Sequence, residues 1–136
     1  EICKDENLPI LDVKFLRNNN MENIVSFGNK VYKNDRVILM DGENSGEVFT
    51  IKENGYLGST LKKLEIKNIS LTHFMDFMLL YFKDLFRLNK KGAAIPHLDK
   101  KLFLDLPIPL PPLKEQEKIV KILDELFTLK KALRVE

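Results

Sequence analysis

Apolar positions change their spacing along the chain, and those changes predict the elements. Residues 10–37 are polar and irregular with short apolar islands, and Asn18-Asn19-Asn20 and Phe27-Gly28-Asn29 have the composition of turns between possible strands. The continuous run Val37-Ile38-Leu39-Met40 predicts a buried strand from Arg36, and Glu47 to Ile51 its returning partner. Between them Asp41-Gly42-Glu43-Asn44-Ser45-Gly46 forms a hairpin tip with two glycines. A second turn at Glu53-Asn54-Gly55 leads to strand character from Leu61 to Ile66. Three- and four-residue spacing of Phe74, Phe77, Met78, Tyr81, Leu85 and Leu88 predicts a helix from Leu71 to Leu88 with Ser70 as N-cap. Leu79, Leu80, Phe82 and Phe86 widen its stripe, so the helix should be surrounded by protein and form the core.

Leu102 to Leu110 reads as a short extended element kept from continuing by Pro107 and Pro109. Pro111-Pro112 then launches a terminal helix, with Glu115 and Glu117 in its first turn and Lys130, Lys131 and Arg134 near its end. Ile119, Ile122, Leu126, Leu129 and Leu133 step by three and four, a heptad seam suited to a partner helix. A second stripe, Val120, Leu123 and Phe127, is free to pack elsewhere. The expected fold is α+β. Residues 1–112 form one globular domain with a small mixed or antiparallel sheet and a buried helix, and residues 113–136 a projecting coiled-coil helix.

Composition narrows the function classes. At 136 residues there is room for one core, and a net charge of +2 announces no polyanion partner. A single cysteine, Cys3, excludes an internal disulfide framework and a cysteine-rich zinc site, and fits a reducing cytoplasm. No signal-peptide pattern is present, and the greasiest stretch, Phe74 to Phe82, contains Asp76 and is too short for a bilayer. Without an initiator methionine or a helix stop at the end, the chain reads as a piece of something longer.

Candidate chemistry is sparse. Glu65-Ile66-Lys67 has the Glu-x-Lys spacing of a metal-dependent nuclease, with Asp41 as a possible second carboxylate for Mg²⁺, although no Pro-Asp precedes it. Pro111-Pro112 is flanked by leucines rather than by an amide and an aromatic, and no glycine-rich loop awaits a nucleotide-like cofactor, so methyl transfer is not expected. His73 and His97 are far apart and read as structural or surface residues. Cys3 has no visible base partner. No cofactor is expected.

The stretch Leu106-Pro107-Ile108-Pro109-Leu110-Pro111-Pro112-Leu113-Lys114-Glu115-Gln116-Glu117-Lys118-Ile119-Val120 closely resembles the conserved region of type I restriction–modification specificity subunits, where a proline-rich strand runs into a helix opening with Glu-Gln. Leu8 to Val13, Asp35 to Gly42 and Gly92 to Leu98 resemble that family's upstream segments in order and spacing. The resemblance implies one target-recognition domain and the start of a spacer helix. It also implies sequence-specific binding of double-stranded DNA, no catalysis, and assembly with modification and motor-nuclease restriction subunits. The terminal helix would pair with a second copy or with another part of the same subunit. A purely helical assembly module without DNA binding is the remaining alternative.

The resemblance does not fix which residues touch DNA, so these are chosen by chemistry. Phosphates want lysine or arginine, and base edges want polar side chains on loops held by a scaffold. Lys83 to Lys101 is the most basic window, with Arg87, Lys90 and Lys91 its leading members. Asn44 and Ser45 on the glycine loop are candidate base readers, and Thr60, Lys62 and Lys63 rank next.

Overall fold

In the computed structural model the described residues are 2–18 and 23–133, with side chains from Glu6 onward. Asn19, Asn20 and Arg134, and the Cys3 side chain, lie outside them. The strands are β1 (Ile2–Leu11), β2 (Ile24–Val31), β3 (Arg36–Leu39), β4 (Val48–Thr50), β5 (Gly55–Leu57) and β6 (Leu61–Leu64). The helices are α1 (Val13–Asn18), α2 (Thr72–Tyr81), α3 (Lys83–Leu88), α4 (Lys100–Leu104) and α5 (Leu113–Ala132). This is an α+β arrangement of small sheets and helices. β1, β2 and β5 pair in a closed ring in which only β1 and β5 run parallel, while β4-β3-β6 is an antiparallel sheet.

All four residues of β3 are buried because its two faces meet different cores. Val37 and Leu39 point into a cluster with Leu11, Phe15, Val31, Ile51 and Leu61, next to the ring. Ile38 points the other way, to Leu79, Phe86 and Leu98, with Met40 packed against that cluster. A strand buried on both sides reads as a continuous apolar run, which is why the sequence marks it so clearly.

The polar region before Arg36 holds the strands β1 and β2 with α1 between them, where Asp12 Oδ1 accepts from Phe15 N at 2.8 Å. Three expectations are corrected. Phe27-Gly28-Asn29 is part of β2 rather than a turn, and Gly28 is needed because a Cβ there would lie 2.9 Å from Tyr56 Cβ. The predicted 71–88 helix is a 3-10 turn (Ile69–Leu71) followed by α2 and α3, which meet at Phe82. Its cap is Asn68 rather than Ser70: Asn68 Oδ1 accepts from Ser70 N at 3.1 Å and Ser70 Oγ at 2.7 Å. That segment is also only partly enclosed, since Leu80, Tyr81 and Leu88 are exposed. The inward row is Met75, Leu79, Phe82 and Phe86. Last, Leu102 does not begin an extended element but lies in α4, capped by Asp99 Oδ1 accepting from Leu102 N at 3.2 Å. Residues 106–112 have no regular secondary structure.

Buried Arg36 joins the sheet to α2. Its Nε and Nη2 donate to the two Asp76 oxygens at 2.9 Å each, a bidentate fork. The hydrogen bonds to Asp76, and the carboxylate charge, raise the Arg36 pKa against the opposing effect of burial. On the next residue of α2, Phe77 stacks on Phe127 of α5 with ring centroids 5.7 Å apart.

Candidate nucleic-acid interface

The glycine loop leaves β3 at Asp41 and is pinned at several points. Gly46 N donates to Leu39 O at 2.8 Å and Gly42 N to Pro96 O at 2.7 Å. Gly42 and Gly46 adopt φ of 104° and 98°, a conformation that β-carbons disfavour. Gly46 also faces Phe86 so closely that a Cβ would lie 2.7 Å from Phe86 Cβ. Ser45 is fully buried, and its hydroxyl has no hydrogen-bond partner among the described residues. This Ser45 is a plug under the loop rather than the exposed reader expected from its sequence position. Glu43 is exposed at the tip and Asn44 half-buried beside it.

The basic window folds back onto this loop. Arg87 Nη2, at the end of α3, donates to Asn44 Oδ1. Lys90 Nζ donates to the Glu43 carbonyl at 2.9 Å and to Glu43 Oε2 at 3.1 Å. Lys91 lies 3.6 Å from Asp99 and is well exposed. The turn that follows acts as a staple: Lys91 and His97 exchange backbone hydrogen bonds at 2.8 and 2.9 Å, and Leu98 N donates to Met40 O at 2.8 Å. Gly92 allows that turn, since a Cβ there would meet Ile95 O at 2.8 Å. Arg87 and Lys90 thus back Asn44 and Glu43 of the loop, with Lys91 following on toward Asp99. The segment from Gly92 to Leu98, a resemblance motif but not a site candidate in the sequence, is what holds them together.

Thr60 is near that loop, its carbonyl accepting from Met40 N at 2.8 Å. Lys62 and Lys63 follow on the edge strand β6, and Lys63 turns toward Asp35 at 3.3 Å, away from the loop. Antiparallel register sets Leu61 opposite Leu39 and Leu64 opposite Arg36, so Glu65 lies past the end of the sheet opposite to Asp41. Over roughly 13 Å of strand they cannot share one metal ion, and the nuclease reading loses its second carboxylate. No group of three or more metal-ligating side chains occurs among the described residues. His73 lies 3.9 Å from Asp76 on the surface, while the His97 backbone serves the staple.

Helix α5 starts at Pro112, with Gln116 buried and donating through Nε2 to Pro111 O at 2.7 Å. Only Glu115 of the two expected glutamates lies in the first turn, and Lys130 and Lys131 close the last. The second stripe faces the body, with Val120 and Leu123 half-buried and Phe127 on Phe77. The seam residues Ile122, Leu126 and Leu129 are each more than half exposed, and Ile119 and Leu133 are exposed as well.

The described residues thus set a pinned polar loop beside a basic helix end, with a long helix launched by Pro-Pro. The chain belongs to the type I restriction modification DNA specificity domain family, whose model matches residues 1–136. It is 42% identical over 125 residues to the Type I restriction enzyme MjaVIII specificity subunit of Methanocaldococcus jannaschii, a match covering 89% of this chain. The chain spans 29% of the length of that relative. Its fold is similar to a solved chain described under "Structural basis underlying complex assembly and conformational transition of the type I R-M system", with a TM-score of 0.70 and 22% identity. That match covers 97% of this chain and 34% of the other. Among the described residues no helix is long and apolar enough to cross a membrane.

Proposed function

We propose that this chain reads one half of a split double-stranded DNA target for a type I restriction–modification specificity subunit and performs no chemistry itself. Residues 1–112 are the target-recognition domain and residues 113–136 the start of a spacer helix. Modification and restriction subunits act where this reader places them, in the cytoplasm. One observation carries the reading. The two stretches that chemistry alone singles out, the glycine loop and the basic window, meet side chain to side chain: Arg87 donates to Asn44, and Lys90 to Glu43. Arg87, Lys90 and Lys91 give the site the positive charge a DNA backbone favours, and a loop tip fixed by glycines and backbone hydrogen bonds supplies groups for base edges. Lys62 and Lys63 extend the charge along the sheet edge, with Thr60 a neutral hydrogen-bonding group beside them.

The exposed seam Ile119, Ile122, Leu126, Leu129 and Leu133 supports pairing of α5 with another helix, from a second copy or from the rest of the subunit. Selecting bound duplexes from a random pool, with the chain linked to a second recognition domain, tests the proposal. One short motif should emerge on this chain's side, with affinity falling steeply as salt rises. Binding without any selected motif, or with no salt dependence, would refute it.

A further inference from the structure

We infer that Glu43 is a base-reading residue and that Lys90 is its buttress rather than a phosphate contact. This rests on the proposed DNA-reading face. Glu43 has a side chain 79% exposed at the tip of the pinned loop, whereas Lys90 is only 20% exposed. The ammonium is turned inward, onto the Glu43 carbonyl and carboxylate together, so it grips both the backbone and the side chain of one residue. Arg87 repeats the device one position on, holding Asn44 by its Oδ1. Each polar tip of the loop is therefore backed by a cation from the segment behind it.

The electrostatics explain why the buttress is needed. A lone carboxylate approaching DNA meets the repulsion of the phosphates, and most loops facing DNA exclude one. Pairing with Lys90 neutralises the net charge at the tip while leaving carboxylate lone pairs directed to solvent. An ionised carboxylate only accepts hydrogen bonds. In the major groove the donors it can meet are the exocyclic amino groups of cytosine and adenine. Glu43 therefore selects for an amino group at one base pair and against a carbonyl oxygen there. Arg87 and Lys90 are hydrogen-bonded to the loop, whereas Lys91 is held only by a 3.6 Å ion pair to Asp99 and is 62% exposed, which assigns the backbone contact to Lys91.

The test uses the whole chain, linked as above, and the motif that it selects. Glu43→Gln keeps the shape but turns half of the acceptor into a donor, and its exposed position spares the fold, checked by circular dichroism. Glu43→Gln and Lys90→Ala should each flatten discrimination at the same single base pair by about tenfold while other positions stay selective. An analogue lacking the exocyclic amino group there should cost the wild-type chain the same factor and the Glu43→Gln variant nothing further. Lys91→Ala should instead weaken all duplexes alike. Uniform weakening by Lys90→Ala with the motif intact would make Lys90 a phosphate contact and overturn the inference. An unchanged motif for Glu43→Gln would overturn it too. A wild-type chain that selects no motif would overturn the functional reading and the inference together.

Discussion

Removing the Asp76 carboxylate tests how the sheet is fastened to the helices. Arg36 is 9% exposed and directs three donors inward: two to Asp76 at 2.9 Å and Nη1 to Asn34 O at 2.5 Å. In Asp76→Ala the guanidinium remains charged, because it cannot release a proton at any accessible pH, and it keeps only the carbonyl. Breaking a fully buried pair on one side costs about 3–5 kcal/mol. Asp76 is 30% exposed, so water enters part of the vacated site and the expected loss falls to about 2–3 kcal/mol. For a domain of this length that lowers Tm by roughly 10 °C. Urea unfolding followed by circular dichroism measures it, with an unchanged slope showing that the native and unfolded ensembles are otherwise the same. The double variant Arg36→Met with Asp76→Leu, which removes both charges and keeps volume, should recover most of the loss. A loss below about 0.5 kcal/mol in Asp76→Ala would place the pair among surface ion pairs and refute the reasoning.

Gly46→Ala should destabilise by about 2 kcal/mol, since the new Cβ meets Phe86 and the backbone angle disfavours it; an unchanged urea midpoint would contradict the packing under the loop. Ser45→Ala should be neutral or stabilising by up to about 1 kcal/mol, because it removes a buried hydroxyl that has no partner among the described residues, and a clear loss in the same assay would count against this. The Asp99 carboxyl is held below its ordinary pKa by the Leu102 backbone N–H first and the Lys91 charge after it. Its contribution is thus full above the unfolded value and lost as pH falls through the lower folded one. Acid titration of stability should show the wild-type advantage over Asp99→Asn shrinking on that acidic side, and an advantage that grows there would reverse the sign.

Legibility in the sequence tracks how many faces an element buries. β3 and the turn into β4 are plain because Val37 to Met40 is apolar at every position and two glycines follow. β1 and β2 are not, because most of β2 is exposed or half-buried and its polar residues spread over both faces. The ring they form with β5 depends on long-range register, such as Lys30 opposite Tyr56, which no local pattern encodes. In the 71–88 segment the expected stripe is only partly the buried one: Phe74 is buried, but Tyr81 and Leu88 are exposed. Its apolar residues cover more than one side, so periodicity could not rank Met75 and Phe86 above Tyr81 and Leu88. For the site, charge and glycine spacing find the two stretches, while their meeting is invisible, since Asn44 and Arg87 are 43 residues apart. Burial of Ser45 is hidden too, since the next residue, Gly46, lies against Phe86 on an element distant in sequence.

The lone acid in the apolar stretch proves more informative than its composition suggested. Asp76 and Phe77 are consecutive in α2, and helical geometry sends them about 100° apart. One grips Arg36 in the central strand, and the other stacks on Phe127 of the terminal helix. β3 runs straight into the glycine loop, and α5 carries the bare seam. A single turn of α2 therefore links the strand that leads into the loop with α5. The proposed reading of a split target needs that relation fixed, because an error in helix angle would become an error in where the second half-site is sought. Fully burying an exposed leucine or isoleucine is worth about 1.5–3 kcal/mol, and the seam residues, 37–72% exposed, would each add part of that under the proposed partner helix. Val120, Leu123 and Phe127 on one stripe hold α5 to its own domain, while Ile122, Leu126 and Leu129 on the other stay open for that proposed partner.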